Sequence, residues 1–393
     1  MESSLIYLIL GLNYTLMGNI IYPSLPGIQE MFGLSAIQLS LMASMPAFIN
    51  ILFQPIAGWI SDRVYRKGIV MAGLLAYFIG GSLAALILLF WSGFAQILVC
   101  RIIMGIGELG AFPQYIALIK ENLPEVKHRS ALGWMESFTS IGGAIGPTIG
   151  GFMVSLYLGM PFLGTSIFAL ATLFLAYRFL PKKGISQRRE LKNKSQFWLE
   201  IKNLIHNPSY IGGFITIGTL VTVQVFIGSY VFSILKFNSI LIGLTLACVP
   251  LAMAVGSIIT TRHGHQRDIS NKSFVISGGI AFLGIVLIAV TNLSWVVFCA
   301  LFLVGSVLGY WLPFFDHSAA GEGGTKNSGL NLSFFQQSKS FGVLVIPTLF
   351  AIVNDVSNSV RTAFGFLSLL FLLCVFLAYT LKKNRPVLSG SPD

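Results

Sequence analysis

Twelve mostly apolar runs alternate with polar connections along this chain, near residues 4–25, 36–60, 69–90, 94–119, 131–157, 161–180, 209–235, 239–261, 273–291, 294–316, 328–352 and 359–381. Each run is close to the roughly 20 residues that a helix needs to cross the hydrocarbon core of a bilayer. The pattern predicts an all-α polytopic membrane protein of twelve transmembrane helices.

The connections are of two kinds. With the amino terminus taken as cytoplasmic, connection 2–3 holds Arg63, Arg66 and Lys67, and connection 4–5 holds Lys120, Lys127 and Arg129. The central stretch is basic from Arg178 to Lys202, connection 8–9 holds Arg262, Arg267 and Lys272, connection 10–11 holds Lys326, and the tail holds Lys382, Lys383 and Arg385. The opposite connections carry only Lys236 and Arg361, while Arg101 and Lys339 fall inside spans. Basic loops stay on the cytoplasmic side, so both termini and the central loop are expected there. The short outer connections point to a prokaryotic inner membrane.

Charged residues make up 10% of the chain and hydrophobic ones 55%, against roughly a quarter charged in soluble domains. The formal net charge of +11 therefore reads as an orientation signal with contacts to lipid head groups, and no nucleic-acid partner is expected. The start, MESS before an apolar run, lacks a basic leader region and is read as span 1 rather than a removable signal. Cys100, Cys248, Cys299 and Cys374 lie in spans without paired spacing or a His partner, which points to neither disulfides nor a metal site. No Gly-rich phosphate loop precedes a Lys-Ser/Thr pair. No cofactor is expected, and a proton gradient is the expected energy source.

Residues 181–208 form the long polar connection and divide the chain into a bundle at 1–180, a linker, a bundle at 209–381 and a tail at 382–393. The halves agree without gaps: Gly105 matches Gly305 and Pro113 matches Pro313, while Ser140, Gly142, Pro147 and Thr148 match Ser340, Gly342, Pro347 and Thr348. Equivalent spans start on the same side, so the repeat is of the parallel kind, and two such bundles can rock about a central site. Two pseudo-symmetric six-helix bundles with a cytoplasmic linker resemble the major facilitator superfamily, and three local motifs extend the resemblance.

Between spans 2 and 3, Gly58-Trp-Ile-Ser-Asp62-Arg63-Val-Tyr-Arg66-Lys67-Gly68 is similar to the superfamily signature Gly-x-x-x-Asp-Arg-x-x-Arg-Lys. The resemblance implies a latch across the cytoplasmic mouth, built on close helix approach at Gly58 and charge pairing by Asp62, Arg63, Arg66 and Lys67. In span 5, Gly142-Gly-Ala-Ile-Gly146-Pro147-Thr-Ile-Gly150-Gly151 resembles the superfamily's exporter and antiporter motif. Glycines four apart line one face and permit tight helix packing, and Pro147 removes a backbone donor and bends the span.

Span 4 carries Arg101-Ile-Ile-Met-Gly105-Ile-Gly107-Glu108, whose Arg-x-x-x-Gly-x-Gly core resembles the motif in which the arginine is linked to proton coupling. A charge at membrane depth costs about 2.5–3.5 kcal/mol on insertion scales and marks a functional site by default. Seven residues put Arg101 and Glu108 on one helical face about 10 Å apart, too far for a direct ion pair. Burial disfavours an ionised carboxyl and a nearby cation favours it, so a mobile arginine can govern proton exchange. Glu108 is thus the first candidate for the proton, with Glu136, about two turns inside span 5, a second.

The candidate substrate cavity combines Asn13, Asn19 and Tyr22 of span 1 with Glu136, Gln336, Gln337 and Lys339, the last able to hold an anionic group or to reach the cytoplasm. The expected function is a proton-coupled antiporter exporting small amphipathic compounds, of the multidrug efflux type. Its partners would be a small-molecule substrate and the lipid bilayer, and the carrier would act as a monomer. Span 1 lacks the acid that many multidrug exporters of the superfamily carry, and Gly-x-Gly-Glu after the arginine also occurs in members that carry organic anions or lipid-like molecules. A proton-coupled organic-anion symporter and a lipid translocator are therefore rivals. A membrane-embedded enzyme would need a metal motif, a nucleophile with its base or paired acids at one depth, and a sensor would need a cytoplasmic domain for which the linker leaves no room.

Overall fold

A computed structural model describes residues 2–61, 66–90, 93–110, 112–180, 208–262, 270–320 and 328–383, and the regular structure among them is helical. In the first half, α1 (Glu2–Asn19), a 3-10 turn (Tyr22–Ser24) and α2 (Leu25–Phe32) form span 1. Spans 2 and 3 are α3 (Ala36–Ser61) and α4 (Arg66–Leu89), span 4 is α5 (Phe94–Leu109) with α6 (Phe112–Asn122), and spans 5 and 6 are α7 (Glu125–Leu156) and α8 (Met160–Phe179). In the second half each span is one helix: α9 (Pro208–Ser233), α10 (Ser239–Arg262), α11 (Asn271–Val290), α12 (Ser294–Ala320), α13 (Ser328–Ser357) and α14 (Val360–Lys383). Eleven of these runs are long and apolar enough to cross a membrane. The other span, α7, is 32 residues long and rich in glycine and hydroxyl side chains.

Three boundaries differ from the sequence reading. Span 1 is not one helix, because Pro23 and Pro26 follow Asn19 closely and each lacks an amide donor. Its continuation α2 ends at Gly33, which adopts φ +58°, a conformation that glycine reaches without steric cost. Span 4 breaks at Gly110, whose amide donates to Gly107 O at 3.2 Å. The last span runs on through Lys382 and Lys383, which had been assigned to the tail.

Lipid offers helices no apolar incentive to associate, so close approach depends on small residues and internal hydrogen bonds. In the first half α1 packs on α7, α4 on α5 and α8, and α3 on α5; the second half repeats this with α9 on α13, α11 on α12 and α14, and α10 on α12. Gly142, Gly146 and Gly150 lie against the backbone of α1 at Leu12, Leu16 and Ile20. Their neighbours Gly143 and Gly151 face the second half: a Cβ at Gly151 would stand 2.6 Å from Ser239 O, and one at Gly243 would stand 2.5 Å from Pro147 O. In the second half Trp311 is fully buried, stacks between Phe274 and Phe371 at 4.7 and 5.7 Å, and donates to Ser277 Oγ at 2.8 Å.

The halves meet through α7 with α10 and α3 with α13. The first amides of a helix have no intrahelical partner, and those of α3 are answered from two sides. Ser35 and Gln38 form a reciprocal capping box, with Gln38 N donating to Ser35 Oγ at 3.2 Å and Ser35 N to Gln38 Oε1 at 3.0 Å. The amides of Ala36 and Ile37 donate to the two carboxylate oxygens of Asp355, near the end of α13, at 2.8 and 3.0 Å. A carboxylate also suits the positive end of the helix dipole. Further in, Ser40 Oγ and Thr348 Oγ1 are 3.3 Å apart, and Ser229 Oγ donates to Gln29 Oε1 at 2.9 Å across the same end. Two turns away on the Thr348 face, Phe341 is 45% exposed.

Asp355→Ala should remove a cap worth about 0.5–2 kcal/mol from the closed arrangement of this end. Spin labels at Glu30, exposed on α2, and Ser359 should report a larger share of long distances in the variant. An unchanged distance distribution would mean that Asp355 does not hold the halves together.

Candidate functional site

The site in the first bundle starts from a proline. Pro46 of α3 has no amide hydrogen, so the carbonyl of Met42, four residues earlier, receives no helical bond. Arg101 of α5 answers it: Nε donates to Met42 O at 2.9 Å and Nη2 to Ala43 O at 3.3 Å. Arg101 is buried. One turn further along α5, Gly105 lets the helices touch at the proline, since a Cβ there would stand 2.9 Å from Pro46 Cα. The Arg-x-x-x-Gly spacing thus places a donor at the carbonyl that the proline releases.

The second glycine serves the opposite neighbour. A Cβ at Gly107 would meet Tyr77 Cδ2 at 2.6 Å and Gly73 O at 2.8 Å, so α4 lies directly on α5. Tyr77 consequently reaches the adjacent acid, its hydroxyl donating to Glu108 Oε1 at 2.9 Å. From α3, Asn50 Nδ2 donates to Glu108 Oε2 at 2.8 Å. Asn50 Oδ1 is buried and accepts no hydrogen bond. No bond joins Arg101 to Glu108, and the guanidinium and carboxyl are held by separate partners on the same helix. Tyr22, buried in the 3-10 turn, lies within electrostatic range of both.

The remaining predicted residues fall in several places. Arg66 ties α4 to α6, with Nε 2.5 Å from Glu121 Oε1 and Nη1 donating to Gln114 at 3.3 Å. Lys67 is buried and donates to the carbonyls of Tyr177 and Leu180, both at 2.7 Å, at the end of α8. These partners belong to the first half. Asp62 and Arg63 lie outside the described residues, and so do the side-chain surroundings of Gly58 and Glu136. Asn13 is buried in α1, and Asn19 ends α1 beside Gly143 of α7. Gln336, Gln337 and Lys339 are half-buried on α13, away from the Glu108 site, and Lys339 Nζ bonds Asp316 Oδ1 of α12 at 2.6 Å. Reading the sequence missed Pro46, Asn50, Tyr77 and Asp316. The available signals were a proline four residues after a carbonyl facing the arginine, and single polar residues in apolar runs.

A helical membrane carrier of two related bundles, with a buried arginine and a half-buried acid on one helix of the first, is the class these features define. The chain belongs to the Major Facilitator Superfamily, whose model matches residues 4–347, and it is a multi-pass transporter, not an enzyme. It is 25% identical over 383 residues to the "Bacillibactin exporter" of Bacillus subtilis, covering 94% of each chain. It is 26% identical over 305 residues to "Tetracycline resistance protein, class C" of Escherichia coli, covering 73% of each, and 28% identical over 203 residues to "Multidrug resistance protein 2" of Bacillus subtilis, covering 50% of this chain and 49% of that one. Among solved structures, the D-xylose-proton symporter superposes with a TM-score of 0.78 at 17% identity over 99% of this chain and 98% of that one. A bacterial homolog of the human lysosomal transporter Spinster, inward-facing and occupied, gives 0.75 at 15% over 98% of each. At these identities the structures share the fold.

Gly105→Ala should destabilise the purified chain by about 1–3 kcal/mol, the usual cost of overpacking, because the new methyl meets backbone at Pro46. Gly18→Ala, where nothing lies within 4 Å, should leave the melting temperature unchanged or slightly raised. Equal behaviour of the two variants in thermal unfolding would remove the packing argument for Gly105.

Proposed function

We propose that the chain is a proton-coupled antiporter that exports small amphipathic organic compounds by alternating access. In this reading it sits in a prokaryotic inner membrane as a monomer with both termini cytoplasmic, and the bundles at 1–180 and 209–381 rock about the linker. The observation that carries the reading is the Glu108 pocket. A primary amide is both donor and acceptor. When Glu108 is ionised, Asn50 Nδ2 donates to it as observed. When Glu108 holds a proton, the amide turned over presents Oδ1, otherwise unpartnered, to accept from the acid, while Tyr77 goes on donating to the other oxygen. Glu108 then keeps a partner on each of its oxygens in both protonation states, as a reversible proton carrier requires.

The packing of the span-5 motif supports alternating access. Its glycines place α7 against α1 on one side and α10 on the other, so a shift of α7 moves the junction of the halves and the end of span 1 together. Export as the direction is supported by a relative named "Bacillibactin exporter", and a relative named "Multidrug resistance protein 2" is consistent with it. The rival, proton-coupled uptake of organic anions, which Arg101, Glu108 and Lys339 would serve equally well, differs from this reading in the direction in which protons and substrate move.

Proteoliposomes under an imposed pH gradient should show proton movement opposite to that of a transported dye, tested with rhodamine 6G and carboxyfluorescein. Glu108→Gln should abolish the proton movement, and Asn50→Leu should slow it about tenfold, the worth of one hydrogen bond to a charged group. Coupling that survives Glu108→Gln would move the proton site elsewhere, and protons travelling with the dye would make the carrier a symporter.

A further inference from the structure

We infer that Gly18 is the floor of an aromatic subsite in the first bundle. The recess over α1 between Tyr14 and Tyr22, across from Glu108, seats a planar ring system of the carried compound, and the bulk of residue 18 sets the largest one that fits. The inference rests on the transporter reading above and names a substrate class for it.

A glycine inside a helix is destabilising relative to alanine, and in α7 close packing offsets that loss. Gly142 lies against Leu12 O, and a Cβ at Gly146 would stand 3.0 Å from Leu16 O. A Cβ at Gly18 would meet nothing within 4 Å, although the residue is half-buried in α1. Packing therefore does not account for this glycine, and a space stands over it.

The face of α1 that borders the space looks into the bundle. Gly142, Gly146 and Gly150 of α7 lie against Leu12, Leu16 and Ile20, and Thr165 of α8 donates to Met17 O at 3.2 Å. At about 100° per residue, Gly18 points roughly 160° away from Leu16 and about 100° away from Met17, out of both contacts. Tyr7, three turns earlier on the same face, is buried beside Asn122 of α6. Tyr14 and Tyr22 flank Gly18, one turn before and one turn after. Tyr14 lies within electrostatic range of Tyr77, the donor to Glu108 Oε1, and Tyr22 within range of Glu108 and Arg101. Gly18 thus faces span 4 at the level of the acid.

The second bundle fills the corresponding place. Gly342 lies against Phe214 O as Gly142 lies against Leu12 O, so Leu12 corresponds to Phe214, and Gly18, six residues on, to Leu220. Leu220 packs against the core, and Leu308, which matches Glu108 as Gly305 matches Gly105, is fully buried. The fold holds with a leucine at this point of the repeat, and the recess belongs to the half that carries the acid. A ring laid on α1 at Gly18 would sit at the carbon contact distance of about 3.5–4.0 Å, in the volume that a larger side chain claims. Tyr14 and Tyr22 stand at its two ends for offset or edge contacts. The recess selects by shape, while Glu108 holds the proton beside it.

The test is equilibrium binding to the purified full chain in detergent, followed by fluorescence anisotropy against protein-free micelles. The probes are rhodamine 6G and carboxyfluorescein, which share a three-ring plane and differ in charge. Gly18→Leu should weaken whichever dye the parent binds about tenfold or more, because ring and side chain claim one volume. Gly18→Ala should weaken it severalfold, and Tyr14→Leu about two- to tenfold, the worth of an aromatic contact. Gly279→Leu, at an equally open glycine of α11, should bind as the parent does. The melting temperature of Gly18→Leu should be no lower than the parent's. Binding depends on neither coupling nor direction of transport, so a failed antiport experiment leaves this result standing. Undiminished binding in Gly18→Leu, an equal loss in Gly279→Leu, a lowered melting temperature of Gly18→Leu, or a parent that binds neither dye overturns the inference.

Discussion

Inside a bilayer no water answers a backbone carbonyl, so each one that a proline releases needs a donor from the protein. The carbonyl of Met42, released by Pro46, is bonded by Arg101. In the second half the carbonyl of Gly309, released by Pro313, accepts from Ser257 of α10 at 3.0 Å. The same need is met by a cation in one half and by a neutral hydroxyl in the other, and the first half thereby acquires a fixed positive charge at membrane depth.

The fixed charge gives the acid on the same helix its meaning. Across about 10 Å at an effective dielectric of about 20, a guanidinium and a carboxylate attract by the order of 1–2 kcal/mol. A proton on Glu108 removes that attraction and leaves Arg101 the uncompensated charge of the pair. Because Arg101 is tied to α3, whose first amides are held by Asp355 of α13, a change at Glu108 acts on a helix that the second half also grips. Helix α3 is thus bonded both by Arg101 of its own half and by Asp355 of the other.

Much of the fold was legible in the sequence because a span is announced by about 20 apolar residues and needs no partner to be recognised. The break after Asn19 was not read, although Pro23 and Pro26 mark it, and the Ser35-Ala-Ile-Gln38 box at the start of α3 was likewise passed over. The candidate site was legible only in part. Arg101 and Glu108 stand out as charges in an apolar run, and the glycines of span 5 by their spacing of four. Their partners do not stand out, since Asn50, Tyr77 and Pro46 are ordinary residues whose importance comes from what α5 brings against them. The bonds from Lys67 to the end of α8, more than 100 residues later, had no signal in the local motif. Asp355 and Asp316 lie at helix ends, where an acid passes for a solvated terminus.

The central claim is that Glu108 takes up and releases a proton within a pocket that satisfies both states. Infrared difference spectra of the purified protein between acidic and alkaline buffer would test it most directly, recorded for the parent and for Glu108→Gln. The account predicts a carbonyl band of a protonated carboxyl that is present in the parent and missing from the variant, together with an amide change from Asn50 that disappears in Asn50→Leu. A carboxyl band of the same size in parent and Glu108→Gln would contradict it.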